Sequence, residues 1–110
     1  IAKEMGKIDW TRGAAEIERQ IRALVAWPTA YTFLDGLLIK IFDGAAEQGD
    51  RGRKLRPGTI TDVHKNGMDV WTGTGVLTVR EVQLQNRKRM KAYDFARGYR
   101  GLAGKILGEP

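Results

Sequence analysis

The chain contains no cysteine and no serine, and it has one histidine and three prolines. No apolar run approaches the roughly 18 residues that a bilayer-crossing helix needs. Each absence removes a class of protein. Without cysteine there is no disulfide framework, no thiolate zinc site and no thiol nucleophile. Without serine or cysteine, His64 lacks the usual partner of a nucleophile–base pair. Thr59 and Thr61 lie near it in sequence, but nothing marks either as activated. One histidine cannot supply the three or four ligands of a zinc site, and no acidic cluster has the spacing of an all-carboxylate site. His64 therefore reads as a surface histidine on a strand. Glu16 and Glu18 stand two apart on a helix and point in different directions, while Asp35, Asp62 and Asp69 fall at turns or strand exteriors. No glycine loop has the GxxxxGK[ST] or GxGxxG form, and Gly73-Thr74-Gly75 connects two strands rather than a strand and a helix. The expectation is a domain with no catalytic centre, no metal and no bound cofactor of its own. A charged-then-apolar secretory segment is also missing, so a membrane role is not expected and a reducing, cytoplasmic compartment is allowed. The first residue is Ile1 rather than methionine, which points to a piece of a longer polypeptide.

What is present suits one folded domain: 110 residues, 42% hydrophobic and 29% charged. The net charge of +6 is unevenly spread. Residues 1–50 carry 6 basic and 8 acidic side chains, whereas residues 51–110 carry 13 basic and 5 acidic. Two acid-free clusters dominate: Arg51, Arg53, Lys54 and Arg56, then Arg87, Lys88, Arg89 and Lys91. Clustered positive charge concentrates polyanions and speeds their capture, although solvated basic loops also serve solubility alone.

Residues 1–10 have no period and read as a linker ending in a packed Trp10, with the domain proper over 11–110. Ile17, Ile21, Leu24 and Val25 fall on one face of a helix expected from Ala14 to Ala26. Thr11 is placed to cap it, and Pro28 stops it. Strands follow. Asp35-Gly36 between 31–34 and 37–42 reads as a two-residue hairpin, and Asn66-Gly67 between 59–65 and 68–72 as a second. Residues 43–58 are polar and glycine-rich and read as a long loop. Residues 76–84 form a longer strand whose inward face is ambiguous unless a bulge lies near Arg80 or Glu81. A short helix over 92–97 buries Phe95, with Tyr99 beyond it. One helix, about five antiparallel strands and a short C-terminal helix give an α+β fold whose sheet can curl into a small barrel.

Several segments, in order, resemble the C-terminal domain of methionyl-tRNA formyltransferase. They are IDW at 8–10, AWPTAYTFLDGLLIKIF at 26–42, PGTI at 57–60, TGTGVL at 72–77, and RKRM at 87–90 followed by Ala92, Asp94-Phe95 and Arg97-Gly98. Four positions depart from the family pattern: Thr74 replaces an acidic turn residue, Asn86 a glycine, Arg87 a lysine and Lys91 a helix-capping serine. Asn86 can replace glycine where the backbone is left-handed.

The resemblance implies an OB-like barrel that holds initiator tRNA. A separate N-terminal catalytic domain of the same polypeptide would transfer a formyl group from 10-formyltetrahydrofolate to the methionine. The family's catalytic residues belong to that other domain. Phosphate contacts would fall to Lys3 of the linker, to Arg51, Arg53, Lys54 and Arg56, and above all to Arg87, Lys88, Arg89 and Lys91, with Lys7 a lesser candidate. The two loops are expected to converge on one side of the barrel. Two alternatives stay open: a general single-strand binder, for which Trp71 is the aromatic to check for exposure, and a structural module of another folate-dependent formyltransferase.

Overall fold

A computed structural model describes residues 3–48 and 54–108, with only the backbone of Lys3 described. Arg51 and Arg53 lie outside the described residues. A 3-10 turn at Lys3–Gly6 leads to helix α1, Ala14–Leu24. Then come strands β1 (Ala30–Leu34), β2 (Leu37–Glu47), β3 (Ile60–His64), β4 (Gly67–Trp71), β5 (Val76–Leu84) and β6 (Met90–Lys91), and helix α2 (Ala92–Arg97). The fold is α+β, and every ladder is antiparallel. The order across the sheet is β1-β2-β5-β4-β3, with β6 added along β5.

Strand β5 resolves its two-faced sequence with a slip. Ile41 pairs with Val82, Asp43 with Glu81, and Gly44 with Val79, so Phe42 on β2 and Arg80 on β5 are each left over. The extra residue shifts the side-chain phase by one. Leu77 and Val79 point inward before the bulge, and Val82 and Leu84 after it; all four are buried, whereas Arg80 is exposed.

β2 is longer than its sequence announces, because Gly44, Ala45, Ala46 and Glu47 continue the ladder against β5. Glycine and alanine are poor strand formers, but at 44 small size is what packing requires. A Cβ there would lie 3.3 Å from both Ile21 Cδ1 and Leu77 Cδ1. Helix α1 thus lies close over β2, with Ile17 and Ile21 buried. Leu24 is half-buried and Val25 exposed, so the core-facing stripe is shorter than the periodicity predicts.

Thr11 does not cap α1. Its hydroxyl and amide both donate to Asp9 Oδ1, at 2.6 and 3.0 Å, and Gly13 occupies the N-cap position. The orphan amide of Ala14 donates instead to the Thr74 carbonyl at 2.8 Å, while Gly73 N–H faces the carbonyls of Trp10 and Arg12. The β4–β5 turn therefore does the capping that a side chain usually does.

The first hairpin turns at Asp35-Gly36, both with positive φ, as the sequence predicts. The second turns one residue earlier than predicted, at Lys65-Asn66, since His64 pairs with Gly67. Gly67 is required for a different reason: its φ is +140° and a Cβ would fall 2.0 Å from the Val79 carbonyl oxygen.

The sheet is not closed into a barrel. Its path ends in β1 on one side and β3 on the other. Residues 104–108 lie in that seam. Ile60 N–H donates to Lys105 O, Gly104 N–H to Ile60 O, and Leu107 N–H to Gly58 O on the β3 side; Gly108 N–H donates to Phe33 O of β1. Asp35 ties the same tail to the first hairpin by accepting from Tyr99 Oη and, at 3.0 Å, from Lys105 Nζ. Ile8 and Trp10, from the segment expected to be linker, are buried in the core, and Trp10 Nε1 donates to Thr32 Oγ1 at 3.0 Å.

The two turn glycines are expected to respond differently to alanine. Gly36 has φ +80° with nothing within 4 Å of a Cβ, so Gly36→Ala should cost about 1 kcal/mol from backbone strain alone. Gly67→Ala adds a clash with backbone and should cost more than about 2 kcal/mol. Urea unfolding midpoints of the two variants check the order; equal costs would refute the assigned close approach.

Candidate nucleic-acid interface

Register across the sheet lines up cations that the sequence keeps apart. Residues paired in an antiparallel ladder project from the same face. Tyr31 pairs with Lys40, and Lys40 with Gln83. A parallel bridge sets Lys7 beside Tyr31, and Gln83 Nε2 donates to the Arg87 carbonyl at 2.9 Å. The inward neighbours Thr32, Ile39, Ile41, Val82 and Leu84 are buried, so this row lies on the outer face. Lys7, Tyr31, Lys40, Gln83 and Arg87 thus span about 20 Å at the usual strand spacing with no acid among them. Lys7, Lys40 and Arg87 are exposed. Lys40, a strand residue with no basic neighbour in sequence, is the member that sequence reasoning missed. Only the pairing register reveals it.

The 87–91 loop is held at both ends. Asn86 has φ +65°, a left-handed backbone in which asparagine can stand for glycine. Arg87 N–H donates to Leu84 O, and Gln85 clasps Leu38 by donating from its amide and accepting at Oε1. Arg87, Lys88 and Lys91 are exposed and form no salt bridge with a described carboxylate. Arg89 differs from them. Its guanidinium grips Glu81 with two hydrogen bonds, at 2.7 and 3.2 Å, and lies 3.9 Å over the Phe42 ring. That pairing holds the Glu81 carboxyl below its ordinary range and raises the Arg89 pKa. Arg80 is likewise gripped by Asp43, at 3.0 and 3.1 Å. Of the four charges in this cluster, one is locally neutralised. Lys65 from the β3–β4 turn shares a recess of about 330 Å³ with Lys91 and Tyr93, and with the Arg80, Asp43 and Glu81 side chains.

The described part of the first cluster lies elsewhere. Lys54 borders Trp71–Gly75, at the start of β5, whereas Arg87 follows its end. The nine residues of β5 hold those two ends about 25 Å apart, so Lys54 lies well away from Arg87. Arg56 instead joins Lys7 along a groove of about 430 Å³ that also holds Asp9 and Ile106. Trp71 is 8% exposed and offers no stacking face; the exposed tryptophan is Trp27, at 56%. On the outer row the ring of Tyr31 meets Phe33 edge-on, with centroids 6.0 Å apart.

His64 faces more acid than its sequence position suggests. Ligand atoms of Asp62, His64 and Asp69 lie within 4.8 Å of one another. These atoms are already engaged. Asp69 Oδ1 accepts from His64 Nε2 at 2.9 Å and from Thr78 Oγ1 at 2.8 Å, Asp62 Oδ1 from Val63 N–H, and His64 Nδ1 from Asn66 N–H at 3.2 Å. A metal on Nε2 would displace the Asp69 bond and force the ring proton onto Nδ1, ending the Asn66 bond. The set reads as a hydrogen-bond network bracing the β3–β4 hairpin. Asp69 raises the His64 pKa chiefly through that hydrogen bond; burial opposes it, and the charges of Asp69, Asp62 and Glu47 add smaller upward contributions.

A raised folded-state pKa stabilises the fold below the unfolded histidine value, near 6.5, and that contribution is lost as pH climbs through the higher folded value. Stability should therefore decline as pH rises from about 6.5 through the higher folded-state value. Asp69→Asn should flatten that decline and lower the His64 titration midpoint followed by NMR; an unchanged midpoint would dismiss Asp69 as the cause.

Comparison with known proteins agrees with this architecture. Residues 1–100 match the family model described as formyl transferase, C-terminal domain. The methionyl-tRNA formyltransferase of Lachnospira eligens is 42% identical over 112 residues, covering 97% of this chain and 35% of that protein. The one from Agathobacter rectalis is 49% identical over 98 residues, covering 89% of this chain and 31% of its own length. The chain thus spans about a third of the length of these relatives. Among solved structures, a multiply substituted variant of HypX from Aquifex aeolicus superposes with a TM-score of 0.68 over 96% of this chain and 21% of that one, at 16% identity, a likeness of fold alone. The chain belongs to the formyl transferase C-terminal domain family, and is similar to the version carried by methionyl-tRNA formyltransferases.

Proposed function

We propose that this domain holds tRNA, chiefly by its phosphates, for a formyltransferase whose catalytic domain lies elsewhere in the polypeptide. That domain would use 10-formyltetrahydrofolate to formylate the methionine of initiator tRNA in the cytoplasm. The observation carrying the reading is the set of exposed cations Lys40, Arg87, Lys88 and Lys91, none of which forms a salt bridge with a described carboxylate. A purely structural module has no use for such a set. Lysine and arginine side chains spaced along an exposed sheet face suit a sugar-phosphate backbone and carry no base discrimination. Lys3, Arg51, Arg53, Lys54 and Arg56 remain candidate contacts: Lys54 lies near the start of β5, away from the row, whereas Arg56 shares a groove with Lys7. Arg89 contributes through Phe42 and Glu81 by fixing the loop more than by free charge. We also read the curved sheet, with its seam filled by residues 104–108, as an OB-like barrel. No helix among the described residues is long and apolar enough to cross a membrane.

Binding to tRNA should weaken with salt, with log affinity falling against log salt at a slope of roughly −3 to −4 if about four phosphates are engaged. Lys40→Ala together with Lys88→Ala should bring the slope closer to zero by about 2 and weaken initiator and elongator tRNA alike. Glu81→Gln should do the opposite by releasing Arg89. Filter binding over a salt series checks all three, and a flat salt dependence would refute the reading.

A further inference from the structure

Exposed apolar side chains scattered singly over a surface need no explanation, but a contiguous group does. Three of the most exposed large apolar residues gather at one place: Met5 at 55%, Val25 at 39% and Trp27 at 56%. The 3-10 turn bearing Met5 is laid against the end of α1, since Gln20 Nε2 donates to the carbonyls of Met5 and Lys7 at 2.9 and 3.2 Å. Gly6 abuts the residue that follows Trp27-Pro28: a Cβ on Gly6 would lie 2.4 Å from the Thr29 carbonyl oxygen. Thr29 in turn is tied back to the helix end by its amide on Leu24 O and its hydroxyl on Val25 O. Residues 23–27, Ala-Leu-Val-Ala-Trp, contain no charge, and Ala23 and Ala26 are exposed with Val25 and Trp27. Nothing among the described residues covers this face.

We infer that Met5, Val25 and Trp27 form the docking surface for the domain that precedes this one in the same polypeptide. The relatives are about three times as long, and the matching family is a C-terminal domain, so the remaining two-thirds of such a protein precede it. That chain arrives through Lys3–Gly6, at the edge of the patch. A domain tethered within a few residues of an apolar face is held there at high effective concentration, and a small apolar contact then suffices to seat it. The patch also borders the Lys7–Tyr31 end of the cationic row, so a seated domain would lie flush with that row. The inference rests on family membership and not on tRNA binding.

The test uses the full-length polypeptide with a photo-reactive benzoylphenylalanine in place of Trp27. The expected product is an intramolecular crosslink to the region upstream of Lys3, mapped by mass spectrometry. A crosslink to a second copy or to added tRNA, or none at all, would overturn the proposal. In the same polypeptide, Trp27→Glu should speed amide exchange over residues 22–28 at least tenfold, while exchange in the core strand β5 stays unchanged. Unaltered exchange over 22–28 would likewise overturn it.

Discussion

Everything in this domain is arranged around the phase slip in β5. That strand pairs with β2, β4 and β6, so its register sets theirs. Without the surplus Arg80, either Leu77 and Val79 or Val82 and Leu84 would face water, at a cost of several kcal/mol for two buried aliphatic side chains. The opposing surplus on β2 is Phe42, and the two leftovers become useful outside: Arg80 grips Asp43, and Phe42 becomes the plate beneath Arg89. A requirement of the core thus decides which groups decorate the surface.

The surface follows a second rule, in which acids determine which cations remain available. Glu81 and Asp43 neighbour each other across β2 and β5, and each takes one arginine. Such exposed pairs add little stability, but they remove charge from one part of the sheet and leave it on the adjacent row. The positive face is therefore patterned by subtraction as well as by the placement of lysines. Counting basic residues along the chain cannot reveal this.

Much of the fold was legible because its signals are local. The Ile17/Ile21 helix face, the Asp35-Gly36 turn, the 72–75 turn and the short 92–97 helix all follow from residues close in sequence. The slip near Arg80 was also legible, since alternation on one strand demanded it. What failed was nonlocal. Gly44 to Glu47 looked like loop because only packing against Ile21 and Leu77 explains a strand of small residues there. Gly67 looked like a turn glycine although its need comes from Val79 across the ladder. Thr11 looked like a cap, whereas a turn 60 residues away caps α1. Lys40 carried no mark at all, and Trp71, the aromatic to check for exposure, is buried while Trp27 is bare, because sequence context does not tell a buried hairpin strand from a bare helix end.

The tail at 104–108 has a consequence for how the chain is made. It supplies the hydrogen bonds that β1 and β3 would otherwise lack, with Lys105 reaching Asp35 across 70 positions. During synthesis the β3 margin stays bare, and the β1 margin is covered only near Tyr31 by Lys7 and Ile8, until residue 108 has cleared the ribosome, and bare margins invite pairing with other nascent chains. A ribosome stalling late in this stretch would therefore release something stickier than one stalling early, before the two hairpins exist.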